Sequence, residues 1–139
     1  VSSSYYALFH LLTGEAVNLI GTNLTVAASH RIQRWFDHQE MKRVCGMFSV
    51  PVLPKQLSAV LAADVSPDMQ RIARTFVQLQ DARIAADYNP ANSWNRDAVV
   101  RYSADAREAF AAWTRIRRTD EANVFAIALL SSKLFEKER

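Results

Sequence analysis

Residues 2–12 read SSSYYALFHLL, and the reading of this stretch decides how the rest of the chain is taken. At about 100° per residue, Tyr5, Leu8, Phe9, Leu12, Ala16, Leu19 and Ile20 share one face of a helix. Tyr6 and His10, four residues apart, lie together on the flank of that face. The pattern predicts a core helix from about Ser3 to Ile20. Gly21 ends it, being a residue type that tolerates the left-handed C-terminal conformation. No Met opens the chain, and the helical pattern is already under way, so a start upstream of Val1 is expected.

The same period continues downstream. Thr22, Asn23 or Thr25 can cap a second helix over about Val26 to Cys45, which Gly46 ends. Pro51 and Pro54 then interrupt regular structure by removing backbone donors, and a short helix near Gln56–Ala62 follows. Ser66 before Pro67 reads as an N-cap with proline at the first helical position, and Asp68 adds a favourable charge to that first turn. This helix should run to about Tyr88, where Asn89-Pro90 stops it. After the loop NPANSW comes a long helix, about Asn95 to Arg118, with Tyr102, Ala106, Ala109, Trp113 and Ile116 in one stripe. A last helix, about Glu121 to Phe135, precedes the charged tail EKER. No run alternates with period two for long enough to make a strand.

Composition agrees with this pattern. Half of the 139 residues are apolar and 22% are charged, as in an ordinary globular domain. Three glycines and four prolines leave little material for turn-rich β-structure. The expectation is a single all-α domain over residues 1–139, an up-and-down bundle of four to five main helices. The net charge of +3 permits nucleic-acid contact without requiring it. Cys45 is the only cysteine, so an internal disulfide is excluded and nothing points to an oxidising compartment. The most apolar run, Val124–Leu130, is far short of the ~20 residues that span a bilayer. A cytoplasmic protein without membrane contact is expected.

Several chemistries lack their residues. There is no glycine-rich phosphate loop, no HExxH or paired CxxC metal spacing, and no GxSxG turn, so neither a metal nor a cofactor is expected. Other residues are better candidates. Arg83 interrupts the stripe of Ile72, Phe76, Leu79 and Ala86, and Asp87 lies one turn further on. A charge on a core-facing stripe needs a partner or a cleft, and the spacing predicts an Arg83–Asp87 ion pair that fixes helix register. Tyr6 and His10 offer a hydroxyl and a base, although a histidine beside aromatics more often packs. On the second helix, Arg31, Arg34, His38, Met41 and Cys45 share a face by spacing, and Lys42 and Arg43 add charge nearby. Arg31, Arg34, Lys42 and Arg43 therefore form a candidate nucleic-acid-binding surface. Ile32, Trp35 and Phe36 are expected in the core. The run RIRR, Arg115 to Arg118, needs only a helix C-terminus to explain it.

YYALFH in the first helix and RIAADYNP at the end of a later one, with SHRIQRWFDH between them, resemble the HEPN family of helical domains. The resemblance covers roughly residues 2–90. It implies an HEPN-like bundle of four or five helices, often a homodimer. Many members resemble metal-independent ribonucleases that present an arginine, four to six residues and then a histidine at the dimer interface. Others act as partner or scaffold modules beside nucleotidyltransferases and in defence or toxin–antitoxin systems. Here Arg83 matches the arginine, but Tyr88 stands where the histidine would be, and no histidine follows His38. Arg31 and His38 satisfy the spacing by count, yet lie on the wrong helix for the family motif. Tyrosine, with an ordinary pKa near ~10, is a poor base at neutral pH.

The resemblance thus implies a non-catalytic HEPN-like binding or scaffold module, a homodimer with a nucleotidyltransferase-type or other protein partner. One alternative is a ribonuclease that uses Arg83 with His10, Tyr88 or Asp87 across a dimer. The other is a basic nucleic-acid or nucleotide binder that takes RNA on its second helix.

Overall fold

A computed structural model describes residues 2–20, 23–88 and 96–131. Seven helices form among them: α1 (Ser2–Ile20), α2 (Val26–Gln33), α3 (His38–Phe48), α4 (Lys55–Ser58), α5 (Pro67–Tyr88), α6 (Arg96–Ile116) and α7 (Asp120–Leu130). The protein is an all-α bundle. The side chain of Ile20, the Gly21 stop, the loop NPANSW with its Asn89-Pro90 stop, and the chain beyond Ser131 lie outside the described residues. No described helix is long and apolar enough to cross a membrane.

The first helix forms where its apolar face predicts it. Tyr5, Leu8, Phe9, Leu12 and Ala16 are buried, joined by Thr13 and Val17. Leu19 departs from the expectation and is exposed at the helix end, where Val17 takes the inward place. This helix packs against α2, α5, α6 and α7, so the bundle closes around it. Helices α5 and α6 run antiparallel. Asp68 pairs with Arg115 at 2.9 Å, and Arg71 with Glu108, at successive levels of their outer seam. Exposed pairs of this kind contribute little, and the inner seam holds the two helices together. There Ala106, Ala109 and Ala112 give α6 a small face that lets the backbones approach closely, and Ile72, Phe76 and Leu79 on α5 belong to the same core.

The expected cap of α5 is present and does more than the sequence shows. Ser66 Oγ accepts from the Met69 amide at 3.2 Å and donates to Glu121 Oε2 at 2.6 Å. The Ser66 amide donates to Glu121 Oε1. A cap contributes about 1 kcal/mol, and this one also ties the start of α5 to the first turn of α7. Thr25 caps α2 through the Ala28 amide at 3.1 Å.

The expected continuous helix from Val26 to Cys45 is two helices instead. Asp37 Oδ1 accepts from the amides of Gln39 at 2.7 Å and Glu40 at 3.2 Å, starting α3 afresh. Three residues after Arg34, an N-cap of this strength offers the backbone a better arrangement than continuing the old helix. Helix α3 runs past Gly46 to Phe48, and the fourth helix is shorter than expected, Lys55–Ser58. The break redistributes the face read from spacing. Met41 and Cys45 enter the core, whereas Arg31 on α2 and Arg34 at its C-cap remain exposed. Trp35, expected in the core, is 75% exposed in the connection, while Phe36 packs against the core.

Candidate functional site

The break between α2 and α3 builds the site. Asp37 fixes the first turn of α3, and so aims His38, its first residue, at the ring cluster of α1. The His38 ring stacks on Phe9 with centroids 4.3 Å apart. The Tyr5 hydroxyl and His38 Nδ1 are 2.5 Å apart. Burial raises the Tyr5 pKa well above its ordinary value, against the opposing pull of the Arg83 charge, so the phenol keeps its proton. It donates to Nδ1, and the neutral imidazole then carries its own proton on Nε2. Burial is also the main reason that the His38 pKa is lowered; the Arg83 charge adds to it, and Asp37 opposes it. His38 is therefore neutral at pH 7.

Arg83 reaches the same cluster from α5. Phe76, seven residues earlier on that helix, touches the Tyr5 ring, so the two positions share the face that meets α1. The guanidinium carbon lies 4.9 Å from the Tyr5 ring centroid and 5.5 Å from that of Tyr6. Its Nη1 donates to Tyr6 Oη at 3.0 Å. This corrects the ion pair expected from spacing. Arg83 and Asp87 form no salt bridge, because the planar cation turns inward to the aromatic faces while Asp87 stays in solvent. Tyr88 is 87% exposed at the end of α5. Of the four residues expected in a catalytic group, the fold gathers Arg83 and His10 around Tyr6. It leaves Asp87 and Tyr88 on the surface.

His10 is exposed and stacks on Tyr6 with centroids 6.3 Å apart. It opens onto a cleft of about 570 Å³ lined by Phe9, His10, His30, Gln33, Arg34, Phe36 and His38. The chain has three histidines, and all of them line this one cleft. No acidic side chain among the described residues does. Among the described residues no three His, Cys, Asp or Glu side chains are grouped to hold a metal ion. What the lining offers is imidazole donors and acceptors, a guanidinium and two aromatic walls. That set suits an anion carried on a flat or apolar body.

The basic surface expected on one long helix is divided. Lys42 pairs with Asp81 of α5 at 2.6 Å, and Arg43 pairs with Glu40 at 3.2 Å. Their charges are already answered within the bundle. Arg31 and Arg34 form no salt bridge among the described residues, and only Arg34 of the four lines the cleft. His30 was not separable from its surroundings in the sequence, since its meeting with His10 and His38 depends on how α2 folds back on α1. The buried Thr13 marks that contact, with Oγ1 3.4 Å from Gln33 Oε1. Cys45 is fully buried, and burial pushes its thiol pKa up, so it is not a nucleophile. The chain matches no family model, no curated protein and no solved structure.

Proposed function

We propose that the protein is a helical binding module that takes a phosphate-bearing ligand in the cleft between α1, α2 and α3. The observation that carries this reading is the convergence of His10, His30, His38 and Arg34 on a cavity that no acidic side chain lines among the described residues. Arginine and imidazole N–H groups donate to phosphate oxygens, and Asp37, the carboxylate next to His38, is turned to the Gln39 and Glu40 amides. The YYALFH and RIAADY segments support assigning the module to the HEPN type, as a homodimer acting beside a nucleotidyltransferase-type or other protein partner in a defence setting. Titration with inorganic tripolyphosphate, followed by the imidazole proton resonances, tests the binding. Saturable shifts at His10, His30 and His38 that Arg34→Glu abolishes are expected. Unmoved imidazoles at millimolar tripolyphosphate would refute it.

One observation favours a second reading, a metal-independent ribonuclease. On one cleft an exposed His10 offers an acid–base group for phosphodiester cleavage, and Arg34 with the Nε2–H of neutral His38 can stabilise the developing charge. Metal-independent cleavage of RNA that survives a chelator and disappears in His10→Ala would establish it. Intact RNA at high protein concentration would reject it and leave the binding module.

A further inference from the structure

A large aromatic indole, Trp35 at 75% exposure, is the feature that the phosphate reading leaves unused. Trp35 stands in the chain between Arg34 and Phe36, both of which line the cleft, and its own ring is left outside the lining, in solvent. Its backbone is held in place, since the Trp35 amide donates to the Ile32 carbonyl at 2.9 Å. The Arg34 amide bonds to the Arg31 carbonyl at 3.2 Å, which continues the same turn. The short connection therefore holds the exposed Trp35 directly after Arg34 in a hydrogen-bonded turn. Arg31, on the last turn of α2, adds a second exposed cation.

We propose that the ligand is a single-stranded nucleic acid, with one unpaired base stacked on Trp35 and the adjacent phosphate held by Arg34 in the cleft. This rests on the phosphate-binding reading above and narrows it to a substrate class. An aromatic platform beside a cationic groove is the arrangement that holds single strands without reading sequence, because every base has a face to stack. The charge is complementary: among the described residues Arg31 and Arg34 are outside any salt bridge and no acid lines the cleft. A duplex hides its base faces within its own stack, so Trp35 discriminates against it. The indole is a specificity-determining contact with the ligand, and the cleft supplies the charge.

Tryptophan fluorescence reads this directly. The whole chain is titrated with a twelve-nucleotide oligouridylate, its deoxythymidine counterpart, a duplex of the same length and inorganic tripolyphosphate. The proposal expects both single strands to quench emission that Trp35→Leu lacks, and Trp35→Leu to bind them about ten-fold or more weakly. It expects Trp35→Phe to recover most of that affinity, and tripolyphosphate to bind all three proteins alike. Preference for one strand over the other distinguishes RNA from DNA as the source of the ligand. Equal affinity of Trp35→Leu and the unaltered chain for single strands overturns the proposal, as does equal affinity for the duplex. Binding of tripolyphosphate with neither strand bound overturns it too, yet leaves the phosphate cleft standing. Failure of every probe removes both readings. Trp35 is exposed, so its replacement leaves the core untouched and the variants remain folded.

Discussion

Replacing Arg83 with methionine separates two accounts of the same charge. If the guanidinium were one half of a buried ion pair, its removal would strand a carboxylate and cost about 3–5 kcal/mol. The geometry gives a smaller figure. A cation over an aromatic face contributes about 0.5–1 kcal/mol when exposed and about 2 kcal/mol when desolvated, and Arg83 is half-buried against two rings. Its hydrogen bond to the partly exposed Tyr6 hydroxyl is weakened by solvent to about 1 kcal/mol, below the ~1.5–3 kcal/mol of an enclosed charged bond. Against these gains, Arg83 Nε is enclosed without a protein partner, a penalty of about 1 kcal/mol that methionine removes. Arg83→Met should therefore lower unfolding free energy by about 1–2 kcal/mol, measured by urea denaturation at pH 7 with an unchanged m-value. Tyr6→Phe keeps the ring and deletes the hydrogen bond, so a double-mutant cycle with Arg83→Met should show coupling of about 1 kcal/mol. The same cycle with Asp87→Asn should show about zero. A loss above about 3 kcal/mol, matched by strong coupling to Asp87, would refute this account of Arg83.

The other expectations concern His38 and Gln80. The folded-state pKa of His38 is lowered, so the unfolded chain takes up a proton there before the folded one does. Its contribution to stability is complete above the ordinary value of 6.5 and is lost as pH falls from 6.5 through the folded pKa. The ring is partly exposed, so the slope stays below the ceiling of about 1.4 kcal/mol per pH unit for one proton. Urea midpoints followed from about pH 7.5 to about pH 5.5 should fall less steeply for His38→Gln, and equal slopes would contradict the neutral, partly buried imidazole. Gln80 is wholly buried on α5, and neither its amide nitrogen nor its amide oxygen finds a protein partner. Gln80→Met keeps the volume and removes the desolvated amide, so it should raise stability by about 1–3 kcal/mol in the same assay. A destabilised variant would mean that the amide is satisfied in solution.

The bundle is readable from the chain because its signals are local. Ser66-Pro67, the stripe ending in Trp113 and Ile116, and the face of Tyr5, Leu8 and Leu12 each need only spacing within one helix. The division of α2 from α3 was also written locally, in Asp37 and Glu40 three residues apart, a recognised helix start. The helical spacing of Arg34, His38 and Met41 ran across it and hid it. Once the helix is cut there, Trp35 no longer faces inward, and His38 acquires a new direction. The rest of the site was not local. His10, His30 and His38 lie on three helices, and their meeting is set by how α2 and α3 pack on α1. Arg83 was recognisable as a misplaced charge, but spacing alone favoured Asp87, because the competing rings of Tyr5 and Tyr6 lie 77 residues away or more in sequence.

Helix α2 has no buried residue. Its opening therefore needs much less free energy than global unfolding, which the enclosed faces of α1, α3 and α5 control. The chain thus contains a small detachable unit that carries His30, Gln33 and Arg34, set against a firm unit that carries Phe9, His10 and His38. Undocking of α2 would widen the space between them, so the docked population governs the cleft. A ligand that touches both units draws that population toward the docked form by its differential affinity, and the ordering of α2 is then subtracted from the affinity observed.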